Sequence, residues 1–372
     1  MALRDGTPGN DTLSGTSAND TLRGAAGDDT YGYEFPGGND IFSDASGIDT
    51  LRLDLDEDVS GDLYRSGSDL VGRLYRATAP SAIHTFTITG HYGATPVERL
   101  SFGDEGWLTI ARSTVGTGDD EMIAGSAASE ALSGNGGLDL MFGWDGNDVL
   151  LGGAGDDDLS GGNGNDTLVG AAGEDMFKGG RGNDVLDGRG DGASVRDGVG
   201  YGDSPAGIVV NLGAGTARDG FGGIDRLIQI EKAFGSGYHD TLIGGTGDNV
   251  LQGYGGNDAL DGKAGAYDTA VFAGTRTQYA ISFSGSAFCI VRDKRTGRDG
   301  TDRLTNIETL WFEGENRGYR VADLRPSGSR RAKALEAALG QTAPPLAGCS
   351  SASLATTDTP RQGLFGALAA LG

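Results

Sequence analysis

A chain of 372 residues with 53 acidic and 29 basic side chains has a formal charge of −24 at pH 7, which repels nucleic acid and anionic lipid, excludes both as partners, and suits the gathering of cations. Its 69 glycines would suggest low complexity, yet they fall at a fixed period, the mark of a repeat architecture. No run reaches the roughly 18 apolar residues of a membrane span, and two cysteines, Cys289 and Cys349, make no disulfide framework.

The first array occupies residues 1–50. Units GTPGNDTLS (6–14), GTSANDTLR (15–23) and GAAGDDTYG (24–32) set Asp11, Asp20 and Asp29 nine residues apart, with Leu13, Leu22 and Tyr31 at the apolar position. An irregular unit around Asp40 follows, then DASGIDTLR (44–52). Residues 51–112 lose the period. Alternation in HTFTITGHY (84–92) and VERLSFGDEGWLTI (97–110) predicts antiparallel strands and a β-rich intervening domain.

The clearest array spans 113–192. Glycine stands at every ninth position from 116 to 188, and position eight of each unit is apolar. Position six is acidic throughout: Glu121 and Glu130, then Asp139, Asp148, Asp157, Asp166, Asp175 and Asp184. A β-rich connector (193–234) leads to a third array (235–272), with Asp240, Asn249 and Asp258 at position six and Leu242, Leu251 and Leu260 at position eight. The neutral Asn249 predicts a weaker site. A β-rich cap (273–325) follows. The pattern G-x-D-R-L-x-x-I-E occurs at 223–231 and again at 300–308, predicting strands that dock on roll ends and cover the open core. Residues 326–372 turn to Ala, Ser, Thr and Pro, with a short helix predicted over 329–341.

Each repeat position has a physical task. Glycine permits left-handed backbone and turns carbonyls inward without a Cβ clash. The acid offers a hard oxygen, which Ca²⁺ prefers, and turn carbonyls add more. The remaining x-U-x triplet is a short strand whose one apolar side chain points into the core. Two nonapeptides complete a coil, so position-six carboxylates two units apart stack on one edge: Asp139 with Asp157, Asp148 with Asp166, Asp157 with Asp175, and Asp166 with Asp184. The predicted ligands of several Ca²⁺ ions are Asp11, Asp20, Asp29, Asp139, Asp148, Asp157, Asp166, Asp175, Asp184, Asp240 and Asp258. One buried apolar side chain per nonapeptide gives about 1.5–3 kcal/mol, against ordering costs of about 1–2 kcal/mol per residue. Ion binding must therefore contribute much of the folding free energy, with the roll disordered when calcium-free and folded when loaded.

These units resemble the RTX, or haemolysin-type calcium-binding, family, most specifically in GNDTL at 9–13 and 164–168. GIDTLRL (47–53), VERLSFGDEG (97–106) and DGTDRLTNIETLWFEG (299–314) resemble regions of larger RTX proteins, and the resemblance covers most of residues 6–325. It implies an all-β fold of parallel β-roll segments joined and capped by β-rich segments. It also implies export from a Gram-negative bacterium by type I secretion machinery, with an uncleaved signal near the C-terminus, where 326–372 lie. The N-terminal MALRDGTPGNDTLSG lacks the charged and apolar regions of a cleaved signal. Departures predict weaker sites: Glu121 and Glu130 for Asp, Ala18 and Ala128 for glycine, and one residue inserted before Asp268.

No H-E-x-x-H zinc motif and no G-x-S-x-G elbow occur. The expected function is non-enzymatic: an extracellular structural or interaction component of a cell surface or matrix, with self-assembly or cell-surface polysaccharide as partners. The alternative is a polysaccharide-active enzyme, with its site in 51–112 or 193–234, or a carbohydrate-binding protein. His84, His91 and His239 are expected to be structural. For Trp107, Trp144 and Trp311 packing is favoured over sugar stacking, with Trp144, at position two of a turn, the most exposed.

Overall fold

The computed structural model describes residues 3–54, 59–66, 69–76, 79–89, 99–102, 107–110, 114–189, 196–284 and 288–325. The helix expected over 329–341, the tail 326–372 with its secretion signal and Cys349, and His91 lie outside the described residues.

The chain divides into two compact units. In the first, residues 1–203 and 215–230, the x-U-x triplets become strands that stack in parallel. Leu140–Asp145, Asp158–Asn163 and Met176–Arg181 form one ladder, with Leu140 opposite Asp158 and Asp158 opposite Met176. Ala131–Gly136, Val149–Ala154, Thr167–Ala172 and Val185–Asp187 form the second. The register advances by two nonapeptides, so one coil is two units. Ile123, Leu132, Met141, Leu150, Leu159, Leu168, Phe177 and Leu186, the position-eight side chains, are all buried.

Residues 51–112 take part in this stacking. Arg99–Phe102 pairs in parallel with Thr50–Asp54 and antiparallel with Trp107–Ile110, which in turn runs parallel to Glu121–Ala124. The antiparallel part is a meander of Val59–Ser66, Asp69–Arg76 and Ala79–Ile88, whose last strand lies parallel to Asp40–Ser43. Phe86 of the meander packs with Tyr33 and Phe42, and Phe42 packs edge-on against Tyr31. This aromatic cluster, joined by the buried Met122, Leu140 and Phe142, thickens the core beyond the one position-eight side chain that each nonapeptide supplies.

In the second unit, whose described residues are 204–214 and 231–284 with 288–325, one ladder is Val209–Asn211, Thr241–Ile243, Ala259–Asp261 and Thr301–Thr305. The other is Lys232–Phe234, Val250–Gln252, Thr269–Phe272 and Thr309–Phe312. Leu242, Leu251 and Leu260 are buried between them. An antiparallel hairpin, Tyr279–Ser284 with Phe288–Asp293, closes one ladder, and Arg317–Arg320 closes the other. Cys289 lies buried in that hairpin as a free thiol.

The duplicated G-x-D-R-L segments dock as expected on the last strand of an array, Ile224–Ile228 on Val185–Asp187 and Thr301–Thr305 on Ala259–Asp261, but they run parallel to it and extend the ladder rather than cross the open core. The reason is spacing, since G-x-D-x-L reproduces the G-x-D-x-U half of a nonapeptide and docks as another coil. The ladder ends are instead closed by antiparallel strands, Phe288–Asp293 against Thr301–Thr305 and Arg317–Arg320 against Thr309–Phe312.

Candidate metal centre

Position-six aspartates use their two carboxylate oxygens differently. The backbone N–H of Asp139 donates to Oδ1 of Asp157 (2.9 Å), Asp148 to Asp166 (2.8 Å), Asp157 to Asp175 (2.9 Å) and Asp166 to Asp184 (2.8 Å). All four pairs named from the sequence therefore stack. The second oxygen, Oδ2, of Asp139, Asp148, Asp157, Asp166 and Asp184 is buried and accepts no hydrogen bond. A buried carboxylate oxygen without a donor is costly, by about 1–3 kcal/mol or more, and a repeated row of them calls for a cation.

The position-one glycines leave room for it. A Cβ on Gly143 would stand 2.7 Å from Asp148 Oδ2 and 2.6 Å from the carbonyl oxygen of Gly161. On Gly161 it would crowd Asp166 Oδ2 and the Gly179 carbonyl, 2.7 Å away. A carboxylate oxygen and the next coil's carbonyl oxygen thus converge on space that only glycine keeps open. These are hard oxygen donors, and the residues fit Ca²⁺. Gly164, at position four, has φ +146, and a Cβ there would collide with the Gly146 carbonyl of the coil below.

Burial is the main cause of the raised pKa values along the row. It pushes Asp139 up to about 7, helped by the charge of Asp157. Burial likewise takes Asp157 to about 7, and Asp148, Asp166 and Asp184 to about 6. A nearby cation would offset the same desolvation by favouring the charged form.

The ladder runs beyond the residues named from sequence. Asp175 N–H donates to Asp197 Oδ1 (2.9 Å), Asp184 to Asp225 (3.1 Å), Asp258 to Asp302 (2.9 Å) and Asn249 to Asp268 (2.8 Å). Near the N-terminus, Asp11 donates to Asp29 (2.7 Å), Asp20 to Asp40 (2.8 Å) and Asp29 to Asp49 (2.8 Å). Carboxylate oxygens of Asp29, Asp44 and Asp49 lie within 4.8 Å of one another, all three residues buried. Asp44 escaped sequence reasoning, although DASGIDTLR places an aspartate where the array has glycine; its Oδ2 accepts from the Tyr31 hydroxyl. At another coil end, the Tyr201 hydroxyl donates to Asp225 Oδ2 (2.8 Å).

Not every predicted ligand presents an open oxygen. Asp11 Oδ2 accepts from Thr7 N–H (2.5 Å) and its hydroxyl (2.9 Å), and Asp20 Oδ2 from Thr16 N–H (2.7 Å) and its hydroxyl (2.6 Å). Asp240 Oδ2 accepts from Ser236 N–H (2.6 Å). Glu121 and Glu130 accept in the same way from Thr117 and Ser126. Asp29 and Asp258 resemble the central row, with a buried Oδ2 that accepts no hydrogen bond, and so does Asp268.

A second ladder on the outside of the turns uses position five. Asn165 N–H donates to Asn147 Oδ1 and Asn183 N–H to Asn165 Oδ1, each at 2.8 Å. His239 takes this role, its Nδ1 accepting from Asn257 N–H at 2.7 Å. His84 Nδ1 lies 2.7 Å from the Gly37 carbonyl, with its ring edge-on to Phe35. Trp311 is buried and Trp144 half-buried beside Phe142.

Residues 5–32, 124–159, 160–192 and 234–267 match the family model of the RTX calcium-binding nonapeptide repeat. No curated protein matches the chain in sequence. Among solved structures, the crystal structure of extracellular lipase LipA from Serratia marcescens is similar over 82% of this chain and 38% of that one, at 13% identity and a TM-score of 0.22. The chain therefore spans well under half the length of that lipase, and so distant a likeness carries nothing about activity.

Proposed function

We propose that this chain, an RTX calcium-binding repeat protein, works outside the cell as a non-enzymatic structural or adhesive component of a surface or matrix, folded by the calcium it meets there. The observation that carries the reading is the buried Oδ2 atoms without hydrogen-bond donors on Asp139, Asp148, Asp157, Asp166 and Asp184, set in a roll built on one position-eight core side chain per nonapeptide. Such a chain is costly to fold without cations, and that suits passage through type I secretion machinery in the unfolded state and folding on release. Two measurements test the role. Sedimentation with and without Ca²⁺ should show calcium-dependent self-association, and labelled protein should adhere to the producing cells only with Ca²⁺. A strict monomer that binds no cell surface contradicts it.

One observation favours polysaccharide as the partner. In the first unit, Trp144, Gly162, Gly180, Arg181, Asp203 and Phe221 are among the residues that line a cleft of about 320 Å³. The Arg181 guanidinium lies 4.6 Å from the Phe221 ring centroid, and Asn163 donates to Asp145 at 2.7 Å. An apolar aromatic wall beside planar polar groups suits the C–H face and vicinal hydroxyls of a pyranose ring. Trp144 has φ +82, as Gly162 has φ +101 at the equivalent place, so Trp144→Gly should fold normally. Loss of neutral hexasaccharide binding in that variant would support the reading; equal binding by both proteins, or none by either, would end it.

A further inference from the structure

The turns fall into two classes, separated by the backbone of position two. Ala25, Asn135, Trp144, Gly153, Gly162, Gly180, Tyr254 and Lys263 have φ between +56 and +120. The carboxylates they precede by four residues, or by five for Lys263 across the inserted residue, are Asp29, Asp139, Asp148, Asp157, Asp166, Asp184, Asp258 and Asp268, and in each Oδ2 is buried without a hydrogen-bond donor. Thr7, Thr16, Thr117, Ser126, Ser236 and Gly245 are not left-handed. Each donates its backbone N–H to the acid or amide of its own turn: Asp11, Asp20, Glu121, Glu130, Asp240 and Asn249. The turn that begins at Asp44 instead of glycine belongs to neither set: Ala45 is not left-handed, and its N–H donates to Asp44 Oδ1 (2.5 Å) rather than to Asp49.

We infer that the handedness of position two decides which turns take an ion: left-handed turns are open sites, and the others are sealed by their own N–H. This rests on the calcium-binding reading and resolves it turn by turn. In the central array the left-handed residue stays in the ladder between coils, Asn135 opposite Gly153 and Trp144 opposite Gly162. Its N–H therefore does not fold back on the carboxylate. In a sealed turn the strand stops earlier, as at Leu3–Asp5 before Thr7 and Thr12–Ser14 before Thr16, and the N–H stands in for the cation. A threonine is β-branched and avoids left-handed φ, while its hydroxyl adds a second bond to the acid. Asn249 is the limit of this design. Its Oδ1 accepts from Gly245 N–H (2.7 Å) and its Nδ2 donates to the Glu231 carbonyl (3.2 Å), so the turn is complete with no charge at all. Of the aspartates named from sequence, Asp11, Asp20 and Asp240 are thus assigned to sealed turns, and Asp268 joins the open set.

The test is the number of Ca²⁺ ions per folded chain, counted by native mass spectrometry and by calorimetry. Asp240→Asn, which keeps the acceptor for Ser236, should leave the count and the fold unchanged. Asp166→Asn should lower the count by at least one ion. Ser236→Gly, in a turn that keeps Asp240, should raise it. Loss of an ion in D240N equal to that in D166N, or no gain in S236G, overturns the inference while leaving calcium binding intact. A wild-type chain that holds no Ca²⁺ would defeat the calcium-binding reading itself.

Discussion

The backbone N–H of Asp148 points at Oδ1 of Asp166, 2.8 Å away, so one oxygen of the carboxylate ties two coils together and the other faces the space beside Gly161. The same side chain is a structural acceptor and a candidate cation ligand, and the two roles separate by substitution.

Asp166→Asn keeps an acceptor for Asp148 N–H and removes charge, so its cost should appear mainly in calcium dependence. Asp166→Ala also leaves that N–H buried without a partner, adding about 1–3 kcal/mol. Urea unfolding at saturating Ca²⁺ should rank wild type above Asn above Ala. Equal stability of the two variants would mean that the N–H finds another acceptor.

Gly161→Ala should weaken calcium binding. Its Cβ would stand 2.7 Å from the Gly179 carbonyl and crowd Asp166 Oδ2, and overpacking of this kind costs about 1–3 kcal/mol. A calcium midpoint raised by about tenfold, read by calorimetry, is expected; an unchanged midpoint would mean that the glycine is not part of a cation cradle.

The metal-free chain should respond to pH in the reverse of ordinary acid denaturation. Asp139 and Asp157 are raised by burial from 3.8 to about 7, so the folded state without metal binds more protons than the unfolded one. Their contribution is whole below the unfolded value and is lost as pH rises through about 7. In chelator, far-ultraviolet circular dichroism should show more β-structure at pH 5 than at pH 8, and calcium affinity should fall at pH 5 because protons compete. Equal spectra at both pH values would contradict the raised pKa values.

The outer ladder should matter less. Asn165→Ala removes the acceptor of Asn183 N–H (2.8 Å) at an exposed position, where water can replace it. Stability should fall by no more than about 1 kcal/mol and the ion count should stay the same. A lost ion would place position five in the cation site.

Much of this was legible in the sequence because three properties share one period. Glycine, acid and aliphatic residues at fixed offsets give the coil length, the buried row and the stacking of Asp139 on Asp157 without further information. What stayed hidden lies where the period breaks. Asp197 follows Asp175 across an insertion, and Asp225 meets Asp184 from 41 residues away. The state of position two was half-legible. Thr7 and Thr16 announce a right-handed or extended turn, whereas Trp144, Tyr254 and Lys263 have no intrinsic preference for the left-handed φ that they adopt. The neighbouring coil imposes it at Trp144 by continuing the ladder to Gly162, and tertiary context of that kind is not written in local residue type.

The most direct measurement is circular dichroism of the purified chain during a calcium titration, with magnesium as the control. A cooperative gain of β-structure in Ca²⁺ but not Mg²⁺, at about 10⁻⁴–10⁻³ M as for extracellular calcium modules, is the predicted result. A chain already fully folded in chelator at pH 8 would contradict it, because the buried carboxylate row would then be stable with no cation to offset it.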